Sequence, residues 1–265
     1  MPAFGATREI KDILNQKFEK NNIYDTCCPF VKKVLEAAKN IGKSGGTIVI
    51  HGKYNHEETR AAFSFARQYG EVIVIKDILE ATFLADCIKG KFSKKDFYNK
   101  FKDVITKDFD FEKHLKKMGI VNQTTMLAND TVLITNIIKD ALSKVKGEFV
   151  DVGFTLCYAT TKNQKAVKAL VKEKLDIVLV VGGFNSSNTT NLYKIAKQNF
   201  ERTYFIKDEK SIISDTKIVC FDVENKKENI KENYLSSVKN IGIIAGASCP
   251  DILIENVIKK LASFS

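Results

Sequence analysis

Four short polar runs in this 265-residue chain combine residue types that can hold an anion and move a proton. They are Asn55-His56-Glu57-Glu58-Thr59, Asn122-Gln123-Thr124-Thr125, Asn185-Ser186-Ser187-Asn188 and Ala245-Gly246-Ala247-Ser248. Each follows a short β-branched run, and three precede expected helix starts. Free backbone N–H groups and the helix dipole favour an anion at such a place. Ser, Thr, Asn and His are uncharged or weakly charged partners for phosphate oxygens. Taken singly, each run also reads as an N-cap; four at equivalent junctions read as a shared anion pocket. Glu58 is either a solvated first-turn glutamate favouring the helix dipole or a proton donor held beside a bound anion. His56 reads as an anion contact rather than a metal ligand, because no second His or carboxylate stands at zinc spacing. His51 and His114 read as surface or strand-end residues.

Six cysteines are present and none forms a CxxC pair, which excludes a zinc ribbon or a thioredoxin motif. Cys87 and Cys220 lie in apolar stretches and read as small buried hydrophobes. Cys28 and Cys157 differ, because each opens one copy of an internal repeat. The first copy runs CPFVKKVLEAAKN, TIVIHGKYNHEETRAAFSFARQ, EVIVIKD; the second runs CYATTKNQKAVKALV, IVLVVGGFNSSNTTNLYKIAKQ, TYFIKD. From Cys28 to Asn55 is 27 residues, and from Cys157 to Asn185 is 28. His56 therefore falls opposite Ser186, and Glu58 opposite Asn188. Two such units related by a pseudo-symmetry axis would present their cysteines toward that axis.

The elements that must position these residues alternate. Strands are expected at Asn22–Asp25, Thr47–His51, Val72–Ile75, Gly119–Asn122, Ile177–Val181, Thr203–Ile206 and Ile241–Ile244. Helices are expected at Pro29–Lys39, His56–Tyr69, Thr131–Val145, Thr161–Glu173, Thr189–Gln198 and Pro250–Ala262. Asp130 is expected to cap its helix, and Pro29 and Pro250 to sit in first turns. This alternation predicts an α/β fold of two similar three-layer parallel-sheet domains, 27–154 and 155–265, preceded by a short segment at 1–26. The Lys/Phe/Asp-rich segment 89–117 reads as a helical insertion.

Composition narrows the function classes. The net charge is +10, but Arg accounts for only four of the 42 basic residues, leaving 42 − 4 = 38 Lys spread along the chain. A nucleic-acid face usually needs Arg forks and a concentrated stripe, so no nucleic-acid partner is expected. No apolar run reaches the roughly 18 residues of a membrane span. The N-terminus lacks the charged and apolar regions of a secretory signal. The expectation is a soluble intracellular protein with reduced thiols.

The strings PAFGA, DTCCPFVKKV, IHGKYNHEET, NQTTML, LCYATTKNQKA, VVGGFNSSNT and AGASCPD, in order along the chain, resemble the 4-hydroxy-3-methylbut-2-enyl diphosphate reductase family. HGKYNHEET and the 89–117 insertion resemble its plant and cyanobacterial branch. The resemblance implies a pseudo-threefold trefoil of α/β domains around a 4Fe-4S cluster. It implies Cys28 and Cys157 as cluster ligands and His56, Ser186, Asn188 and Ser248 as diphosphate-binding residues. Glu58 becomes the proton donor, with Thr124 relaying or orienting it. It also implies reductive dehydroxylation of an allylic alcohol diphosphate, fed by ferredoxin or flavodoxin, in the cytoplasm or a plastid-type organelle.

The family pattern includes a further N-terminal domain with a Gly-Phe-Cys-type motif that gives the third ligand. Met1–Asp25 match only the end of that domain, so the resemblance makes 1–26 the remnant of a first domain. Cys27 stands where relatives usually show Thr, and Phe4 where many bacterial relatives have His. Cys249 is a conceivable substitute for the third ligand. A truncated, cluster-free remnant that binds a diphosphate or a partner without catalysis is therefore the alternative expectation.

Overall fold

A computed structural model describes residues 2–264. The chain divides into two compact units, Met1–Cys157 and Tyr158–Ser265.

Unit 1 carries helix α1 (Arg8–Lys17), α2 (Pro29–Lys43), strand β1 (Thr47–His51), α3 (Glu57–Ala66), β2 (Val72–Ile75) and α4 (Ile78–Ile88). It continues with α5 (Lys94–Phe101), α6 (Phe111–His114), β3 (Lys117–Asn122), α7 (Ala128–Lys144) and β4 (Glu148–Val150). The strands form one parallel sheet in the order β2-β1-β3-β4. β1 (TIVIH) and β2 (VIVI) are buried at every position, as expected of β-branched strands covered on both faces. One face packs Val34, Ala38 and Ile41 of α2 and Ala62 and Ala66 of α3 against Ile48, Ile50, Val72 and Val74. The other packs Leu84 of α4 and Ile134 and Ile138 of α7 against Val49, Ile73, Met118 and Ile120. Three layers result.

The 89–117 segment is helical in part and has a second role. Val74 N–H donates to Val104 O at 2.9 Å and Thr106 N–H to Val72 O at 3.0 Å, so the segment covers the outer edge of β2. Phe97, packed on Phe101, Phe109 and Phe111, fastens it to the core.

Unit 2 carries α8 (Tyr158–Leu170), β5 (Ile177–Val181), α9 (Ser187–Asn199), β6 (Thr203–Ile206), β7 (Lys217–Asp222), β8 (Lys227–Glu232), β9 (Ile241–Ala245) and α10 (Asp251–Ala262). Its parallel sheet has the order β6-β5-β9, and β7 and β8 form a separate antiparallel hairpin. Val167 of α8 and Leu192 and Ala196 of α9 cover one face. Val257 of α10, with Ile218 and Cys220 of the hairpin, covers the other.

Several local expectations need correction. Asn22–Asp25 is not a strand: a 3₁₀ turn occupies Lys20–Asn22 and irregular backbone follows. Among the described residues no strand lies beside this segment to pair with it. Asp130 does not cap α7, which begins at Ala128 after Leu127; it lies in the first turn, where its charge suits the dipole. Pro250 sits at the N-cap position, just outside α10. The β7–β8 hairpin has no signal in the sequence, because β8 (KENIKE) holds one apolar residue and reads as a solvated loop.

Candidate functional site

The C-terminal ends of β1 and β3 in unit 1, and of β5 and β9 in unit 2, are built alike. His51 pairs with Ile75 and Asn122, while Val181 pairs with Ile206 and Ala245. Gly52 N–H donates to Ile75 O at 2.9 Å, as Gly182 N–H does to Ile206 O at 3.0 Å. Gln123 N–H donates to His51 O at 2.9 Å, as Gly246 N–H does to Val181 O at 3.2 Å. His56 N–H turns back to Lys53 O at 3.1 Å, as Ser186 N–H does to Gly183 O at 2.9 Å. The repeat read from the sequence is thus a structural repeat at both junctions. It sets His56 opposite Ser186, Glu58 opposite Asn188, Thr59 opposite Thr189 and Thr124 opposite Ala247.

In unit 1 the junction is ionisable and closed. Glu58, in the first turn of α3, is only 3% exposed, so the solvated reading of this glutamate is excluded. Its Oε1 accepts from Thr124 N–H at 2.6 Å, and its Oε2 accepts from Thr124 Oγ1 at 2.8 Å. Burial raises the carboxyl above the usual carboxylate range, and the two Thr124 bonds oppose that rise without cancelling it. When Glu58 is protonated the Oγ1 contact can reverse, with the acid donating to the hydroxyl. The pair can therefore pass a proton without rearranging.

His56 caps α3. Its Nδ1 accepts from Glu58 N–H at 3.2 Å, and burial lowers its pKa from the ordinary value. With Nδ1 accepting, the neutral ring carries its proton on Nε2, a donor suited to an anion's oxygen.

Gln123, whose polar run alone gives it no special role, joins the two loops. Its Oε1 accepts from Lys53 N–H at 3.0 Å and from Thr59 Oγ1 at 3.2 Å, and its Nε2 donates to Thr125 Oγ1 at 2.7 Å. Beneath it lies a second polar layer that the sequence did not reveal. His51 is fully buried at the strand end, not on the surface, with Nδ1 3.1 Å from Asn122 Oδ1. Burial holds its pKa down near 4, against the raising effect of Asn122. Asn122 Nδ2 donates to Thr155 Oγ1 at 3.0 Å. Two residues further on, Cys157 N–H donates to Thr124 O at 3.2 Å. The segment that presents Cys157 is thus tied to the residue that holds Glu58.

In unit 2 the same junction is neutral. Ser186 caps α9 by accepting from Thr189 N–H at 3.2 Å. Asn188 is buried, and neither its Oδ1 nor its Nδ2 has a hydrogen-bond partner. An orphaned amide of this kind costs stability unless something binds it. Gly246 stands where unit 1 has Gln123, and only glycine fits there: a Cβ at 246 would lie 2.1 Å from Thr189 Oγ1. Ser248 lies exposed on the loop after β9.

The cysteines separate as expected at two positions. Cys87 and Cys220 are buried, and burial raises both thiols, Cys87 to about 12. Cys28 is half-buried at the N-cap position of α2, with its N–H on Ala3 O at 2.8 Å. Cys157 is half-buried directly before α8. Cys27 and Cys249 are raised chiefly by burial, which disfavours the thiolate a metal needs. Among the described residues no group of three or more His, Cys, Asp or Glu side chains is placed to hold a metal ion. The donor set of this chain therefore does not fit a complete iron–sulfur cluster, which takes three or four thiolates. Among the described residues no helix is long and apolar enough to cross a membrane.

Comparison with known proteins agrees with this layout. The family described as LytB protein matches residues 1–262. A 4-hydroxy-3-methylbut-2-enyl diphosphate reductase of Prochlorococcus marinus (strain MIT 9515) is 38% identical over 272 residues, covering 100% of this chain and 67% of the relative. One from Rippkaea orientalis is 40% identical over 269 residues, covering 99% and 65%. The chain thus spans about two thirds of the length of the curated relatives it matches. A solved structure of (E)-4-hydroxy-3-methyl-but-2-enyl diphosphate reductase superposes with a TM-score of 0.52 at 27% identity, over 98% of this chain and 74% of the other. The corresponding structure from Plasmodium falciparum gives 0.68 at 22% identity, over 98% and 65%, and supports the fold alone. With a family match over nearly its whole length, the chain belongs to the LytB family.

Proposed function

We propose that this chain carries the diphosphate-binding and proton-donating parts of a 4-hydroxy-3-methylbut-2-enyl diphosphate reductase. The observation that carries the reading is the buried, raised Glu58 held by both the backbone and the hydroxyl of Thr124. Reductive dehydroxylation replaces a C–OH bond by C–H, takes up two electrons and two protons, and releases water. The hydroxyl leaves only if it is protonated, and a carboxylic acid whose pKa burial raises is suited to that task. Thr124 orients the acid and relays its proton. His56, Ser186, Asn188 and Ser248 hold diphosphate oxygens, so binding energy is spent on placing the alcohol. The orphaned amide of Asn188 supports this role, since a bound oxygen and a bound hydroxyl would satisfy its two ends.

Cys28 and Cys157 are two of the thiolates that a 4Fe-4S cluster of this family would use. A cluster would supply the electrons of such a reaction, but these two thiolates alone are too few to hold one. An acidic electron carrier such as ferredoxin or flavodoxin fits the +10 charge. The cyanobacterial relatives fit a cytoplasmic or plastid-type location. For the chain alone, the lack of a three-donor group among the described residues favours a second reading, diphosphate binding without turnover.

Anaerobic reconstitution decides between them. The chain is compared with a fusion that supplies the additional segment of a cyanobacterial relative, using cluster absorbance and turnover with a reduced viologen. The expected result is turnover in the fusion, lost in Glu58→Gln while pyrophosphate affinity is kept. Full turnover of Glu58→Gln would overturn the assignment.

A further inference from the structure

The loop that carries His56 toward Glu58 is tied at one more point, outside the contacts described so far. Tyr54 Oη donates to Glu80 Oε2. Glu80 is 2% exposed and lies in the first turn of α4, where Asp77 Oδ1 accepts its N–H at 2.9 Å. The same Oε2 accepts from Lys76 N–H at 3.0 Å. Its Oε1 has Lys76 Nζ at 3.2 Å and Lys100 Nζ at 3.6 Å. Lys100 belongs to α5, inside the 89–117 insertion. Burial pushes the Glu80 carboxyl up, but the bonds from Tyr54 and Lys76 outweigh it and hold it below the usual range. Glu80 is therefore a buried carboxylate with two lysines and a phenol converging on it, and it lies apart from the residues that would meet substrate.

Unit 2 shows what this place needs for folding alone. β2 and β6 stand in the same register against β1 and β5, so Lys207 falls opposite Lys76, Ser211 opposite Glu80, and Phe184 opposite Tyr54. Ser211 Oγ accepts from Lys207 N–H at 3.3 Å, which repeats the Glu80–Lys76 turn without a charge. Phe184 stacks on Phe221 with ring centroids 4.5 Å apart and meets Phe205 edge-on at 5.3 Å. A serine and a phenylalanine thus build the same turn and the same loop. The acid and the phenol of unit 1 add a directional tether that the fold itself does not demand. They occur in the unit that carries Glu58.

We propose that Glu80 is a positioning residue for Glu58: it holds Tyr54, with Lys76 and Lys100 balancing its charge, and so fixes the Gly52–His56 loop and the depth at which Glu58 is buried. The loop is then held from both sides, by Gln123 at Lys53 and by Glu80 at Tyr54. The insertion contributes to the site through Lys100 without touching substrate. The inference rests on Glu58 being the acid of the site. Its test reads the titration of Glu58 rather than turnover, so the two readings fail separately.

The experiment follows the Glu58 carboxyl by ¹³C NMR across pH in the 265-residue chain, in wild type, Tyr54→Phe, Glu80→Gln, the double variant and Lys100→Ala. Loosening the loop lets water reach Glu58, so its midpoint should fall toward the ordinary range. A drop of about half a pH unit or more is expected in each of the first two variants. The double variant should drop no further than either single, since both cut one link. Lys100→Ala should move it less, in the same direction. Glu58 midpoints equal to wild type in Tyr54→Phe, with only the melting temperature lowered, would show a merely structural contact and overturn the proposal. Should Glu80→Gln fail to fold, Tyr54→Phe and Lys100→Ala decide, because both positions are partly exposed and the aromatic ring is retained.

Discussion

The two units solve one geometric problem with opposite chemistry. At matching strand ends, unit 1 places Glu58, Thr124, Gln123, His51 and Asn122, where unit 2 places Asn188, Ala247, Gly246, Val181 and Ala245. The backbone bonds of the two junctions agree within a few tenths of an ångström. The framework thus tolerates either a layered network of buried polar groups or an almost bare amide. Unit 1 spends most of its side chains on one another: Thr124 holds Glu58, and Gln123 holds Thr59 and Thr125, while His51 Nε2 is left without a partner. Unit 2 leaves Asn188 unsatisfied. A satisfied network suits a group whose protonation must be controlled, while an unsatisfied amide suits a group waiting for a ligand.

The largest effect that tests this contrast is on turnover. Giving unit 1 an amide like that of unit 2, by Glu58→Gln in the reconstituted fusion, should lower the rate by roughly 10²–10⁴-fold, the usual contribution of a positioned acid. The same variant should be more stable than wild type at neutral pH. A carboxyl whose folded pKa is raised binds its proton more readily folded than unfolded, so its contribution to stability falls as pH rises through the carboxylate range. Urea midpoints measured near pH 4 and pH 7 should show the gain growing with pH.

Next comes the polar floor. His51 is held near pKa 4 folded, against an ordinary 6.5. Its neutral form is favoured by folding, so stability is present above pH 6.5 and is lost as pH falls toward 4. The difference is on the order of 3 kcal/mol. Replacing His51 by the residue of unit 2, His51→Val, should remove most of that acid-side slope in urea titrations while lowering stability at pH 7. An unchanged slope would mean that His51 is not the group that charges on unfolding.

A smaller effect exchanges the glycine of unit 2. Gly246→Ala puts a methyl against Thr189 Oγ1 and should cost about 1–3 kcal/mol, an overpacking penalty. Adding Thr189→Ala should restore most of it, which a thermal melt of the double variant checks. Smallest is Asn188→Leu. Because the amide has no partner, the melting temperature should hold or rise by a few degrees. Calorimetry should meanwhile show weaker pyrophosphate binding.

Much of this contrast was legible in the chain itself. Cys28–Asn55 against Cys157–Asn185 exposed the repeat because strand, loop and helix start are local features with fixed spacing. β-branched runs such as Ile48-Val49-Ile50 and Val178-Leu179-Val180 marked the central strands for the same reason. The polar runs placed His56, Glu58, Thr124, Ser186 and Asn188 at strand ends, where they are found. What could not be read depends on contacts far apart in sequence. Thr155 reaches Asn122 across 33 residues, and Tyr54 reaches Glu80 across 26. The burial of His51 follows from a helix, α7, that packs over it, with Thr131 Oγ1 3.4 Å from the ring. The β8 strand is not legible in its own residues because its partner, not its own pattern, makes it a strand.

The central claim is that burial raises the Glu58 carboxyl and that Thr124 orients it as the acid of the site. Difference infrared titration of the Glu58 carboxyl, wild type minus Glu58→Gln, tests it most directly. The account predicts a protonated carboxyl band that persists above the ordinary glutamate range and shifts in frequency when Thr124→Val removes the hydroxyl contact. A carboxyl that ionises at or below that range, with no response to Thr124→Val, would contradict it.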